Sequence, residues 1–245
     1  MTDVSKEYLD LFAEQYYLDE GIDDIDIEDT MQIYSFEKIK EQIGNSKRIL
    51  DMGVGTGTFL NELTQNFDDI SVLEGSDKLI NKFQKIHPNV NFINSLFEEF
   101  KPKEKYDCVL ALHVFEHVED PEILSKIISD WLTEEGKLIV VVPNKQSFHR
   151  HLGVTMGLHK ELDDLSERDK IVGHLRVYDF KTLEKVFEEQ YNISNKFGYF
   201  LKTVPNSLMK DYPNDVIIGL TKLSLNLNPE FLGNIGLVLN KKITD

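Results

Sequence analysis

The sequence predicts an α/β fold on a parallel sheet, from two patterns and one turn. From residue 46 onward, short apolar runs alternate with amphipathic stretches, the arrangement of βαβ units. The first run, Arg48-Ile-Leu-Asp51, breaks directly into a turn in which Gly53, Gly55 and Gly57 alternate. A chain of 245 residues with 41% hydrophobic content can bury one core, so a single domain spanning 1–245 with appendages is expected.

Taken in order, the first 45 residues carry apolar positions at helical spacing (Val4, Tyr8, Leu11, Phe12, then Ile33, Phe36, Ile39, Ile43) and read as a helical cap. Residues 19–29 hold seven acids among eleven and read as a solvated loop. Strands are predicted at 47–51, 70–74, 90–94, 106–112 and 137–142. Between them, Leu79, Ile80, Phe83 and Ile86 mark one helix, and Ile123, Leu124, Ile127, Ile128, Trp131 and Leu132 another. The second opens at Asp120-Pro121, where Asp caps and Pro fits the first turn. Asp179 opens a helix carrying Leu183, Val186 and Phe187, and two later strands are expected near 191–201 and 234–241. No internal repeat is visible.

Charge narrows the partners. The net charge is −16, from 43 acids against 27 Lys plus Arg, and no local basic face offsets it. Nucleic acids and anionic membranes are bound largely through neutralised phosphates, so neither is an expected partner. The single cysteine, Cys108, lies in an apolar run and reads as an inert core thiol. The start, Met1-Thr-Asp-Val-Ser-Lys-Glu, lacks a basic and an apolar targeting region, and no stretch nears the ~18 apolar residues of a membrane span. A cytoplasmic protein is expected.

Two nucleotide-loop patterns compete for residues 51–58. A dinucleotide loop needs G-x-G-x-x-G, but the third glycine position holds Thr58 and Gly57 comes one residue early. The acid Asp51 also suits a cationic ligand better than a diphosphate. Asp51-x-Gly53-x-Gly55-x-Gly57 resembles motif I of the class I S-adenosylmethionine (SAM) methyltransferases, whose ligand carries a sulfonium and an ammonium. Glu74 ends the second strand, where an acid can accept both ribose hydroxyls, and Ile70-Ser-Val-Leu-Glu-Gly-Ser76 resembles that family's motif II. In many relatives an Asp follows the third strand and binds adenine; here Ser95-Leu96-Phe97 stands instead, so Ser95 or backbone amides with Leu96 and Phe97 would hold the base. Residues 106–121, with His113, Glu116 and His117, resemble motif IV and its extension in the small-molecule (type 11 or type 12-like) group.

The resemblance implies a Rossmann-like seven-stranded sheet, mostly parallel with the last strand antiparallel beside the fifth, and helices on both faces. It implies SAM as cofactor and S-adenosylhomocysteine as product. Asp51, Gly53, Gly55, Gly57, Glu74, Ser95, Leu96, Phe97 and His113 would bind it, within a core of 46–143 behind the 1–45 cap. A substrate-loop insertion follows at 144–180, then C-terminal strands at 181–245 with a lid or dimer segment at 203–232. Four of seven histidines fall in 149–174, after the carboxyl edge of the sheet, which points to a substrate pocket. Val142-Pro-Asn144, His149-Arg150 and Gly173-His-Leu-Arg176-Val-Tyr178 resemble a subgroup acting on sugars, polysaccharides and secondary metabolites.

The expected reaction is an in-line displacement onto a hydroxyl or amine of a small polar molecule. Orientation supplies roughly 7–11 kcal/mol of the barrier reduction, and a base adds about 10²–10⁴-fold. His117 or His174 is the expected base, with Tyr17, Glu116, Asn144, His149, Arg150, Arg176 and Tyr178 at the acceptor. The two arginines suit an anionic or nucleotide-linked, sugar-type acceptor, and Tyr16 and Tyr17 either close over SAM or pack within the cap. No metal is expected, although His113-x-x-Glu116-His117 resembles the Glu/His cluster that small-RNA 2′-O-methyltransferases use for a divalent ion, and ubiquinone-pathway O-methyltransferases share a similar Glu-His pair. The alternatives are that metal-assisted O-methyltransferase, a non-catalytic SAM-binding partner protein and, least favoured, an NAD-dependent dehydrogenase. A monomer or homodimer is expected.

Overall fold

A computed structural model describes residues 5–18 and 25–242. The cap comprises α1 (Lys6–Ala13), a π-helical turn (Glu14–Leu18) and α2 (Ile25–Ile43). The core then alternates β1 (Arg48–Met52), α3 (Thr58–Asn66), β2 (Asp69–Glu74), α4 (Asp77–Ile86), β3 (Asn91–Asn94), β4 (Tyr106–Leu112), α5 (Pro121–Trp131) and β5 (Leu132–Pro143). The insertion holds α6 (Phe148–Thr155) and α7 (Glu167–Ile171). After it come α8 (Phe180–Phe187), β6 (Tyr191–Tyr199), α9 (Asn206–Met209), α10 (Asn214–Ser224) and β7 (Asn234–Lys241).

The seven strands lie in the order β3-β2-β1-β4-β5-β7-β6. The first five pair in parallel, and β7 runs antiparallel between β5 and β6. Strand β1 turns outward to β2 on one side and β4 on the other, so the chain reverses its winding at β1 and β4. Such a switch point opens a cleft at the carboxyl ends of the strands, which is where ligands bind in open α/β sheets.

The strand interiors are apolar on both faces because helices cover both. Ile49, Val72, Leu110 and Ile139 join Phe36, Leu60 and Leu79 in one cluster, and Leu50, Val109, Val140 and Leu237 join Leu124, Trp131 and Phe187 in the other. Cys108 lies fully buried in the first, and burial pushes its thiol up to about 12, as an inert core thiol requires.

Most boundaries fall within two residues of expectation. Strand β5 starts five residues early because Tyr106 pairs with Leu132 and Cys108 already with Lys137, leaving a bulge between them. Helix α5 begins at Pro121 as predicted, but the Asp120 side chain makes no capping bond. The acid-rich stretch departs further. Residues 25–29 are the first turn of α2, where Ile27 is buried and acids supply negative charge to a helix N-terminus; residues 19–24 of that stretch lie outside the described residues. In segment 203–232, α10 packs on α2, with Ile217 buried and Leu223, Leu227 and Phe231 exposed. None of the described helices is long and apolar enough to cross a membrane.

Candidate active site

The glycine turn forms one wall of the cleft. Gly53, Gly55 and Gly57 all adopt positive φ (79°, 52° and 83°). Their reasons differ. A Cβ on Gly57 would lie 2.0 Å from Phe83 Cε1, so this glycine lets α3 and α4 pack; Cβ atoms on Gly53 or Gly55 would meet nothing within 4 Å. Those two backbones therefore face open space, as a closely approaching ligand needs.

Two carboxylates flank the turn. Asp51, in β1, and Glu74, ending the neighbouring β2, are both buried. Glu74 Oε2 accepts from Val54 N at 3.1 Å and Oε1 from Ser76 N at 2.8 Å, so loop amides orient it while each oxygen keeps a further lone pair. Neither acid has a Lys, Arg or His within ion-pair distance among the described residues. Burial, then the charge of Glu74, pushes Asp51 up to about 8; burial outweighs the amide bonds and raises Glu74 as well. Two uncompensated acids at adjacent strand ends are a site for a cation.

Ser95 and Leu96 border the end of β2, Leu96 Cδ2 lying 3.5 Å from where a Cβ on Gly75 would be, whereas Phe97 packs against the second core cluster. Ser95 N donates to Glu74 O at 3.2 Å, and its hydroxyl turns to its own neighbour's carbonyl, Leu96 O, at 3.0 Å. The cap sits directly on this corner. A Cβ on Gly75 would lie 2.3 Å from Leu9 Cδ1, and Asp10 accepts from Ser76 Oγ at 2.6 Å and Lys78 N at 3.0 Å. Tyr17 packs edge-on to Phe12 at 5.9 Å. Burial, followed by the charges of Glu28, Glu74 and Glu116, raises its hydroxyl above the ordinary tyrosine value.

At the β4 exit the backbone is strained. His113 has φ 59°, rare for a residue with a Cβ, and its N–H is tied to Val141 O at 2.9 Å. The kink directs its Nδ1 to Glu116 Oε1 at 3.1 Å. Burial opposes the charged forms, yet each favours the other's ionisation: His113 is raised and Glu116 lowered. Glu116 is completely buried, and its Oε2 has no hydrogen-bond partner among the described residues.

The insertion brings His174 to this point, with Nε2 3.9 Å from Glu116 Oε1. His117 meets it edge to face, 4.8 Å between centroids. One donor atom from each of Glu116, His117 and His174 lies within 4.8 Å of the others, a potential metal-ligand set. His117 Nδ1 lies 3.2 Å from Gly173 O, a carbonyl that only accepts, so Nε2 holds the lone pair. Burial lowers its pKa despite Glu116.

Four residues expected at the acceptor are otherwise engaged. Arg150 is buried; it donates to Leu162 O and Asp164 O at 3.2 and 2.8 Å and pairs with Asp169 at 2.8 Å. Arg176 donates to Val118 O and Glu119 O. Asn144 donates to Glu230 O and Leu232 O at 2.7 and 2.9 Å, and Tyr178 OH to Phe115 O at 3.2 Å. Each donates to backbone carbonyls; Asn144, Arg150 and Tyr178 are buried, and a buried donor must find such partners. These bonds tie the insertion to the rest of the chain, and they commit donors of both arginines that were expected at an anionic acceptor to protein oxygens. His149 Nδ1 lies 2.9 Å from Ser147 Oγ, and burial with nearby Lys202 and Arg150 pushes it down to about 2, keeping it neutral.

Residues not anticipated complete the site. Asp29 Oδ1 accepts from Thr56 and Thr58 hydroxyls at 2.9 and 2.7 Å, clasping the glycine turn, while Glu28 beside it pairs with Arg168 of α7 at 2.8 Å. Asp169 holds His174 and Arg150. The sequence signal for Asp169 was Ser166-x-x-Asp169, a capping-box spacing.

Comparisons with known proteins agree with this geometry. The family model described as a methyltransferase domain matches residues 31–192. A malonyl-[acyl-carrier protein] O-methyltransferase of Halalkalibacterium halodurans is 28% identical over 163 residues, covering 62% of this chain and 60% of its own. A ubiquinone biosynthesis O-methyltransferase of Rickettsia bellii is 28% identical over 127 residues, covering 49% and 53%. The chain thus spans just over half the length of these curated relatives. The crystal structure of a SAM-dependent methyltransferase, possible histamine N-methyltransferase, from Thermotoga maritima superposes with a TM-score of 0.65 at 16% identity over 97% of both chains. With its glycine turn, its flanking acids and a family match across two-thirds of its length, the chain belongs to the methyltransferase domain family.

Proposed function

We propose that the protein transfers a methyl group from SAM to an oxygen or nitrogen nucleophile of a small molecule. The observation carrying this reading is the pair of buried, uncompensated acids, Asp51 and Glu74, beside two glycines facing open space. A sulfonium–ammonium ligand supplies the missing positive charge, and ribose hydroxyls use the free lone pairs of Glu74. The acceptor enters between the cap and the insertion, where Glu116, His117 and His174 converge. There, Nε2 of a neutral histidine takes the proton as the nucleophile attacks in line. With Arg150 and Arg176 occupied, an anionic or nucleotide-linked sugar acceptor loses its main support. The exposed Leu223, Leu227 and Phe231 leave segment 203–232 open to act as a lid or a contact with a second copy.

Calorimetry with SAM tests the cofactor, and mass spectrometry of a metabolite pool incubated with protein and SAM tests the transfer. Tight SAM binding without any methylated product supports the non-catalytic partner instead; NADH binding without SAM binding overturns the reading.

A metal-assisted reaction has one specific observation in its favour. The mixed O/N donor set of Glu116, His117 and His174 includes a buried carboxylate oxygen without a partner, which suits Zn²⁺ or a similar ion better than Mg²⁺. These three residues would hold the ion, which when bound polarises the acceptor oxygen. Activity lost on chelation and restored by one metal selects this variant.

A further inference from the structure

We infer that Asp169 is a positioning residue that fixes the ring of His174 with Nε2 turned to the Glu116 side of the acceptor mouth. The inference rests on the reading above, in which that mouth serves methyl transfer.

The two carboxylate oxygens of Asp169 have separate partners. Oδ2 accepts from Ser166 N at 2.8 Å, Ser166 Oγ at 2.7 Å and Arg150 at 2.8 Å. Those contacts complete the capping box of α7 and pair the buried guanidinium. Oδ1 has one described partner, His174 Nδ1 at 2.9 Å. The backbone repeats the link, since His174 N donates to Asp169 O at 2.8 Å. A helix cap uses one oxygen; the second, aimed at an imidazole, has no part in it.

A carboxylate paired with a buried guanidinium stays ionised and can only accept hydrogen bonds. Nδ1 of His174 therefore carries a proton, and in the neutral ring the lone pair falls on Nε2, 3.9 Å from Glu116 Oε1. His117 differs, because behind its Nδ1 stands only the neutral Gly173 carbonyl. A carboxylate both fixes the tautomer and stabilises the ring when it gains charge, whereas a carbonyl does only the first. Of the two rings, His174 is the one the fold prepares.

Long-range ¹H–¹⁵N NMR of histidine-labelled protein reads the tautomer without any acceptor. The spectra are recorded with EDTA, about two pH units above the ordinary histidine value, and assigned with His174→Gln. Wild type is expected to show His174 as a single Nδ1–H tautomer with a deshielded Nδ1 proton. Asp169→Asn is expected to lose the single Nδ1–H tautomer and give a mixture of the two. Ser166→Ala, which removes cap contacts but keeps the Oδ1 contact, is expected to leave the tautomer unchanged. An Nε2–H tautomer in wild type, an unchanged ring in Asp169→Asn, or an equal shift in Ser166→Ala overturns the proposal. If Asp169→Asn does not fold, the wild-type Nδ1 proton decides, its absence being decisive against. Calorimetry with S-adenosylhomocysteine on the same wild-type sample separates the two readings: no binding sinks the methyltransferase function while the tautomer result stands.

Discussion

His117 and His174 meet edge to face with ring centroids 4.8 Å apart, although one follows β4 and the other ends an insertion after β5. Both rings present Nδ1 to an oxygen that can only accept, the Gly173 carbonyl and the Asp169 carboxylate. In the neutral ring each therefore has its lone pair on Nε2, but of the two only His174 has a carboxylate against Nδ1.

Removing the two rings should have unequal effects. His174→Ala is expected to lower kcat by about 10²–10⁴-fold, the usual contribution of a base. His117→Ala is expected to act mainly on KM for the acceptor. Steady-state kinetics on the acceptor found by the metabolite screen, with SAM affinity checked by calorimetry, compares them. An equal kcat loss in both variants refutes the assignment.

Cofactor binding should depend on pH through Asp51. Burial first and Glu74 second push this acid up to about 8, against about 4 in the unfolded chain. Across that window the fold holds more protons than the unfolded chain, so stability of the ligand-free protein falls as pH rises from about 4 to 8. A cationic ligand favours the ionised acid and releases its proton. SAM affinity is therefore expected to rise by up to about tenfold per pH unit towards pH 8 and to flatten above it. Calorimetry in buffers of different ionisation heat counts the proton, and Asp51→Asn should abolish the slope.

The glycines of one turn should separate by phenotype. Gly57→Ala forces a Cβ to 2.0 Å from Phe83 at positive φ, and is expected to destabilise the fold by about 2–5 kcal/mol. Gly53→Ala meets no atom, so it should cost only about 1–2 kcal/mol of backbone strain while weakening SAM binding more than Gly57→Ala does in the folded fraction. Urea unfolding and calorimetry on both variants distinguish packing from ligand approach.

Arg150 should prove structural. Arg150→Met leaves Asp169 buried without its cation, and breaking such a pair from one side costs about 3–5 kcal/mol. The damage should centre on residues 156–173, whose carbonyls at Leu162 and Asp164 lose a donor. Limited proteolysis is expected to cut there first, and a variant as stable and resistant as wild type contradicts the role.

What the sequence determined by itself was the sheet and the glycine turn with its two flanking acids. Apolar strand interiors, the amphipathic helices between them and the Asp51–Gly57 turn are local patterns, and each element carries its own periodicity or backbone requirement. Glu74 was legible for the same reason, since the end of β2 fixes where its side chain points. Tertiary structure decided which side chains meet beyond β4 and β5. Arg150, Arg176, Asn144 and Tyr178 look in sequence like ligand-binding groups, but folding brings backbone carbonyls against them, and those carbonyls take up donors. Conversely, the acids at 25–29 look solvated, yet Asp29 and Glu28 reach the glycine turn and α7 once α2 is docked. Local spacing cannot report which long-range oxygen a donor will meet; only the packed chain fixes that, and with it the meeting of His117, His174 and Glu116.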